Sequence, residues 1–380
     1  MGIDYRPDHS FRIPMPHLSK KMNTPNACDR CHAGRSWQWQ TDAMEKWYGQ
    51  QKNPHYGTIL DAGRKRQPDA LPDLVKLAED RLYPTNVRAT ALSLASRYSD
   101  KKSEQLLLRS LIDDAPLMRF AAVQNLAQSE PREQHKHIIP LLYDPVKAVR
   151  IEAANYLASV SSSAIPTAER KRFTAVLEEY REAMNYTADF AGSRHNLGLL
   201  DSALGNHHQA IEHYQKALAI DREFYPAKVN LAMLYNSLGQ KDKAEQLLRE
   251  VVAQHPGLHE IAYSLGLLLV ELGKYDAAVV HLKNAAEAIP QQGRIHYNLG
   301  LLLEHLSRFS EAEKALMQAG ASDPDNMDYL SALAQFYLKT GKPEKARPLA
   351  QQMLAVSPDQ RIGHDLLGII EAMIGQKPDN

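Results

Sequence analysis

The chain has two cysteines, Cys28 and Cys31, three positions apart, and His32 follows the second directly. Two thiols and an imidazole at this spacing suit few tasks. A Cys-x-x-Cys pair can form a redox disulfide, but that chemistry belongs beside a strand in an α/β fold. The same residues can supply three ligands of a zinc site, with a fourth from a residue such as His17. The third task is covalent attachment of haem c, for which C-x-x-C-H is the attachment sequence. There the two thiols form thioethers with two vinyl groups on one porphyrin edge, and the next residue reaches the iron from below. Random placement would give this arrangement in roughly two of ten thousand chains of this composition (about 1/190 × 1/24). We read the motif as one covalent haem c site, with His32 as the proximal iron ligand.

An iron held this way has a second axial position. His9, His17 and His55 lie near in sequence, as do the thioethers of Met15 and Met22. Imidazole would keep the potential low, and methionine would raise it. His9 is the first candidate and His17 a weaker one, although a histidine in a loop is more often solvated than bound.

The elements that must position these groups fall into three textures. Residues 1–66 hold Pro7, Pro14, Pro16, Pro25 and Pro54 together with all three tryptophans, Trp37, Trp39 and Trp47. Proline at this density predicts extended, looping chain. One short helix is predicted over Ser36–Tyr48, where Trp39, Ala43 and Trp47 fall four apart on one face. The tryptophans suit two uses: packing on the porphyrin, or filling a small core that joins this segment to the next helices.

Residues 67–160 repeat with a shift of 31. Asn86-Val-Arg-Ala-Thr-Ala-Leu, Leu117-Met-Arg-Phe-Ala-Ala-Val and Ala148-Val-Arg-Ile-Glu-Ala-Ala keep Arg88, Arg119 and Arg150 in register, as they do Ala91, Ala122 and Ala153. Asp113-Asp-Ala-Pro and Asp144-Pro supply helix-start chemistry, a carboxylate for free N–H groups and a tolerated proline. This pattern resembles the HEAT repeat, with a period shorter than usual.

Residues 161–380 repeat with a period of 34. Gly205, Gly239, Gly273, Gly341 and Gly375 keep it, with Ser307 in the missing place; so do Leu197, Leu231, Leu265, Leu299, Leu333 and Leu367, and Ala210, Ala244, Ala278, Ala312 and Ala346. Small residues at 198, 232, 266, 300, 334 and 368 let antiparallel helices approach closely. Pro256, Pro290, Pro324 and Pro358 close successive units. The pattern resembles the tetratricopeptide repeat, implying five full units over about 191–360 and a closing helix at 361–374. The helix expected over 167–184 reads as the second half of a degenerate leading unit. The predicted fold class is therefore all-α, an α-solenoid of HEAT-like and then tetratricopeptide hairpins, behind an irregular haem-binding segment.

In that resemblance the inner helices line a concave face, and His195, Asn236, Tyr263, Tyr297, Glu304 and His305 take groove-like positions. They are mixed in charge, so neither a carboxylate clamp nor a nucleic-acid stripe is expected; a peptide or protein partner is what the family implies. Lysine plus arginine equals aspartate plus glutamate at 45 each, which disfavours a strongly basic nucleic-acid surface. No apolar run reaches about 18 residues, so no membrane span is expected in this chain. Lys20, Lys21, Arg30 and Arg35 near the motif suit an acidic redox partner.

The front segment also resembles the C-terminal haem segment of bacterial multihaem c-type cytochromes with tandem helical repeats. The resemblance rests on Asp8-His9-Ser10-Phe11-Arg12-Ile13-Pro14, Asn26-Ala-Cys28-x-x-Cys31-His32, Trp39 and Lys46-Trp47-Tyr48-Gly49. In that family the histidine of the D-H-x-x-R-x-P segment is the distal ligand of another haem in the stack, so the resemblance gives His9 a ligand position that need not belong to the haem on His32. The family's upstream haem motifs and secretion signal do not precede this segment; Met1-Gly-Ile-Asp-Tyr-Arg-Pro carries no apolar stretch. Because haem c is attached beyond the cytoplasmic membrane, a periplasmic or exported location is expected. Met1 is then expected to be an internal methionine of a longer protein, the alternative being a separate upstream product that completes the cytochrome.

The leading expectation is an electron-transfer protein with redox partners and an upstream haem domain, rather than an enzyme. One alternative is a non-redox interaction scaffold whose C-x-x-C-H is unfilled. Another is one part of a multihaem reductase, against which no catalytic Lys, Tyr and His set surrounds the motif.

Overall fold

A computed structural model describes residues 14–49, 55–127, 134–160 and 164–375. Among the described residues every regular element is a helix. Contacts divide the chain into two units, residues 1–188 with 203–206, and residues 189–202 with 207–380.

The first unit opens with three short helices: α1 (Pro16–Met22), α2 (Asp29–His32) and α3 (Trp37–Tyr48). α1 begins on a proline, where the missing N–H costs no helical bond, and ends on Asn23 in the left-handed region (φ 52°). α3 starts where expected, with the Ser36 hydroxyl accepting from the Trp39 N–H at 3.2 Å. α1 packs on α3 and on the next helix, Tyr56–Arg64, tying this segment to the repeats.

The 31-residue repeat forms paired helices: Leu71–Glu79 with Thr85–Ala95, Lys101–Ser110 with Pro116–Leu126, and His135–Ile138 plus a 3₁₀ turn with Lys147–Ala158. Val87, Met118 and Val149 are buried, as are Ala91, Ala122 and Ala153, and successive second helices pack side by side. The registered arginines bind across the repeats. Arg88 donates to the Ala78 carbonyl (2.9 Å) and to Asp113 (2.6 Å), and Arg119 grips Asp144 through two bonds of 2.6 and 3.0 Å. Each aspartate also turns the chain into the following helix, Asp113 accepting from the Ala115 N–H and Asp144 from the Val146 N–H, both at 2.8 Å. Pro116 occupies the first turn of its helix, whereas Pro145 precedes its helix, which starts only at Lys147.

Arg150 takes Glu179 instead (2.5 Å). Glu179 lies on Thr167–Tyr186, a 20-residue helix. The sequence reading grouped this helix with the tetratricopeptide array; within the first unit it packs on Lys147–Ala158, and its Glu179 takes the third registered arginine.

The second unit contains five helix pairs: 191–203 with 207–220, 225–237 with 241–254, 259–271 with 275–288, 293–305 with 309–322, and 327–339 with 343–356; Arg361–Gly375 closes it. The small-residue positions explain the close approach. A methyl group added at Gly198, Gly266 or Gly300 would strike Tyr214, Leu282 or Leu316 at under 3 Å. At Gly368 in the closing helix nothing described stands within 4 Å. Between the helices of a pair the chain turns through the left-handed region at Gly205, Gly239, Gly273 and Gly341, and at Ser307 (φ 58°). The Ser307 turn keeps the hydrogen bonds of its glycine counterparts: Arg308 N–H to Leu303 O is 2.8 Å, matching Lys274 to Leu269 and Lys342 to Tyr337. Each registered proline sits in the turn between pairs, three residues before the next helix.

Candidate functional site

α2 is a single helical turn made by the motif itself. Cys28 precedes it in the right-handed helical region, and its carbonyl accepts from the N–H groups of Cys31 (3.2 Å) and His32 (2.9 Å). One turn places residues three and four apart on one side. Cys28, Cys31 and His32 accordingly line one recess of about 350 Å³. Its other wall is α3: Trp39, Gln40, Ala43, Met44, Trp47 and Tyr48, with Pro14 and Ala27 at the margin. The three-residue stripe predicted on α3, Trp39, Ala43 and Trp47, therefore faces the motif.

The aromatic rings in this wall are uncovered, Trp39 being 38% and Trp47 66% exposed. The His32 ring lies 5.2 Å from that of Trp39, tilted by 54°, and the Arg35 guanidinium stacks over the same indole at 5.1 Å. Of the described residues up to Gly49 only Pro16, Asn26 and Gln40 are buried. The centre of the segment is thus polar. Gln40 donates from Nε2 to Asp29 Oδ1 (2.9 Å), Asn26 Nδ2 donates to Gln40 Oε1, and the Cys28 N–H donates to Asn26 Oδ1 (3.2 Å).

The two thiols are free, Cys28 half-buried and Cys31 exposed. Burial, with the Asp29 charge next, pushes the Cys28 thiol up from its ordinary value. A redox-active Cys-x-x-Cys needs the opposite shift, toward thiolate. Among the described residues no three His, Cys, Asp or Glu side chains converge as metal ligands, so His17 does not complete a zinc-type set with the motif. His17 is exposed on α1 and outside the recess. His55 lies outside it too; its Nδ1 accepts from the Gly57 N–H (3.0 Å) and its ring stacks on Tyr56. Met15 and Met22 do not line it, and His9 lies outside the described residues. Met44, whose thioether lines the wall, was not among the sequence candidates; its one signal was a place next to Ala43 on α3.

The residues assigned to a concave groove serve mostly to join helix pairs. His195 shares a 2.8 Å hydrogen bond with Asn230 and packs on Phe224 and Tyr214, and burial lowers its pKa from the ordinary histidine value. The Tyr263 hydroxyl accepts from Asn298 (2.6 Å), and His305 packs on Tyr275. Asn236 keeps a buried side-chain oxygen without a partner. Tyr297 and Glu304 border a recess of about 290 Å³, and Glu304 is bound to Lys339 at 2.8 Å.

The tetratricopeptide repeat pattern matches residues 202–266, 269–336 and 308–370. Among solved structures the chain is similar to MamA, at 20% identity over 44% of this chain and 92% of that one, with a TM-score of 0.42. It is similar to MamA from Desulfovibrio magneticus RS-1 at 18% identity (45% and 97% covered, TM-score 0.42). It is also similar to YrrB, described as a TPR protein with an unusual peptide-binding site, at 20% identity (50% and 97% covered, TM-score 0.43). No curated protein matches the chain. Residues 202–370 carry tetratricopeptide repeats, and the described chain is all-α, built from repeated helical hairpins.

Proposed function

We propose that this chain binds one haem c through Cys28 and Cys31, with His32 on the iron, and passes electrons while its repeats hold protein partners. One observation carries the reading: the C-x-x-C-H turn and an uncovered stripe of Trp39, Ala43 and Trp47 line the same recess. Its volume of about 350 Å³ falls among small-molecule pockets, roughly 300–1,000 Å³. The described residues up to Gly49 bury only Pro16, Asn26 and Gln40, and a flat apolar group between α2 and α3 would give them an apolar core. When bound, haem supplies one-electron transfer. The protein groups attach it, cover its face with indole and methyl surface, and present His32 to the iron. Arg30, Arg35, Lys20 and Lys21 suit an acidic redox partner.

This assignment requires export, since haem c is attached outside the cytoplasm, and it agrees with a place at the end of a longer multihaem cytochrome. In that setting His9 would serve a neighbouring haem. The second reading, an interaction scaffold with an unfilled motif, draws on the repeats at 202–370, which occupy far more of the chain than the recess does.

One experiment separates the two. The chain is expressed with an export signal beside the haem-attachment machinery, and a denaturing gel is stained for haem peroxidase activity. Covalent colour that falls in Cys28→Ala is expected. A colourless band, or colour indifferent to Cys28→Ala, leaves the scaffold reading.

A further inference from the structure

We infer that Asn26, Asp29 and Gln40 are positioning residues for haem attachment, a polar clasp that fixes the Cys28–His32 turn against α3 before the haem arrives. The inference rests on the haem reading proposed above.

Two of the three clasp residues are buried, and they reach the exposed Asp29 inside the motif. Gln40 is 2% and Asn26 7% exposed, whereas the aromatic side chains beside them are open to solvent. Small segments ordinarily bury apolar side chains and leave amides outside, so the inverted arrangement marks an internal tie. Its geometry is directed at the motif. Asn26 Oδ1 takes the Cys28 N–H, fixing the first thiol; Gln40 Nε2 takes the carboxylate of Asp29, inside the motif; and the Asn26 amide joins the other two. Gln40 belongs to α3, so the tie spans the recess from one wall to the other.

Attachment needs both thiols in place in turn. Each thiol adds across a vinyl group: the sulfur–carbon bond forms at the inner vinyl carbon, the proton goes to the terminal one, and no oxidant is consumed. The second addition is intramolecular once the first is made, so its yield depends on how well the turn holds the other thiol. Without the clasp Cys28 loses its backbone anchor, while Cys31 and His32 keep their helical bonds to the Cys28 carbonyl.

The test uses the full chain, exported with the attachment machinery. Haem per polypeptide, the number of thioethers from the pyridine haemochrome spectrum, and thiols free after denaturation are measured together. The wild-type chain is expected to carry haem through two thioethers with no free thiol. Asn26→Ala and Gln40→Leu are expected to lower the doubly attached form at least fivefold, with singly attached protein retaining one free thiol. Q40E alone sets two carboxylates against each other and should do no better than Gln40→Leu. The pair D29N/Q40E restores the hydrogen bond with donor and acceptor exchanged, and should recover most of the doubly attached form. A merely unfolded segment would lose both thioethers and would not respond to that exchange. Variants attached as fully as wild type, or no recovery in D29N/Q40E, overturn the clasp alone. A wild-type chain without covalent haem overturns the haem reading and the clasp with it.

Discussion

Asp144 sits where charge is costly, its side chain only 3% exposed, and it is kept ionised by its neighbours. Burial pushes its carboxyl up, but the bonds from Arg119 and the Val146 N–H, with the charges of Arg119 and Arg150, outweigh burial and hold it below the usual carboxylate range. A carboxyl depressed on folding contributes stability that is fully present above its unfolded value near 4 and lost as pH falls through the folded value. Arg119→Ala would leave that carboxylate buried and unpaired, so a loss of about 3 kcal/mol is expected at pH 7, read from urea unfolding. The loss should shrink on acidification below about pH 4. The arginines were legible as a register in the sequence, but their partners were not. Arg88 and Asp113 are 25 positions apart, on different helix pairs, and no local pattern joins them. The same holds for Asn26 and Gln40, which look like ordinary surface amides until the fold buries them. Cys28, Cys31 and His32 stood out by spacing alone, and one helical turn brings them to the same recess.

At the scale of the element, the tetratricopeptide hairpins were nearly complete in the sequence, since glycine, alanine and proline recur where a turn, a close contact or a break is needed. Ser307 is the informative exception. It adopts the left-handed backbone of its glycine counterparts and carries a side chain that disfavours that region. Ser307→Gly is therefore expected to stabilise the second unit by about 1 kcal/mol, seen as a higher midpoint in thermal unfolding with the helix content unchanged. Thr167–Tyr186 was legible as a helix, but its packing on Lys147–Ala158 and the Arg150–Glu179 pair were not, because amphipathic period alone carries no address.

Across the whole molecule, periodicity told more than composition. A charge balance of zero and 44% hydrophobic residues fit most soluble folds, whereas repeats of 31 and 34 residues prescribed the hairpins. The recess was half legible. The stripe on α3 could be read from fourfold spacing, but whether it faced a core or an opening depended on where α2 came to rest, which irregular, proline-rich chain does not encode locally. The arginine–aspartate ladder has a consequence for how such a chain can be shortened. Because the two arginine–aspartate rungs link neighbouring repeats at the same offset of 25 residues, loss of one whole period leaves a working rung behind. Deleting residues 89–119 brings Asp144 to the place Asp113 held relative to Arg88, and Arg150 keeps Glu179. That excision is expected to melt as a single cooperative helical protein by circular dichroism, whereas removal of 89–116, three residues short, is not. The first unit is thus written in interchangeable modules, open to unequal crossing-over between neighbouring copies and closed to any loss that is not a full period.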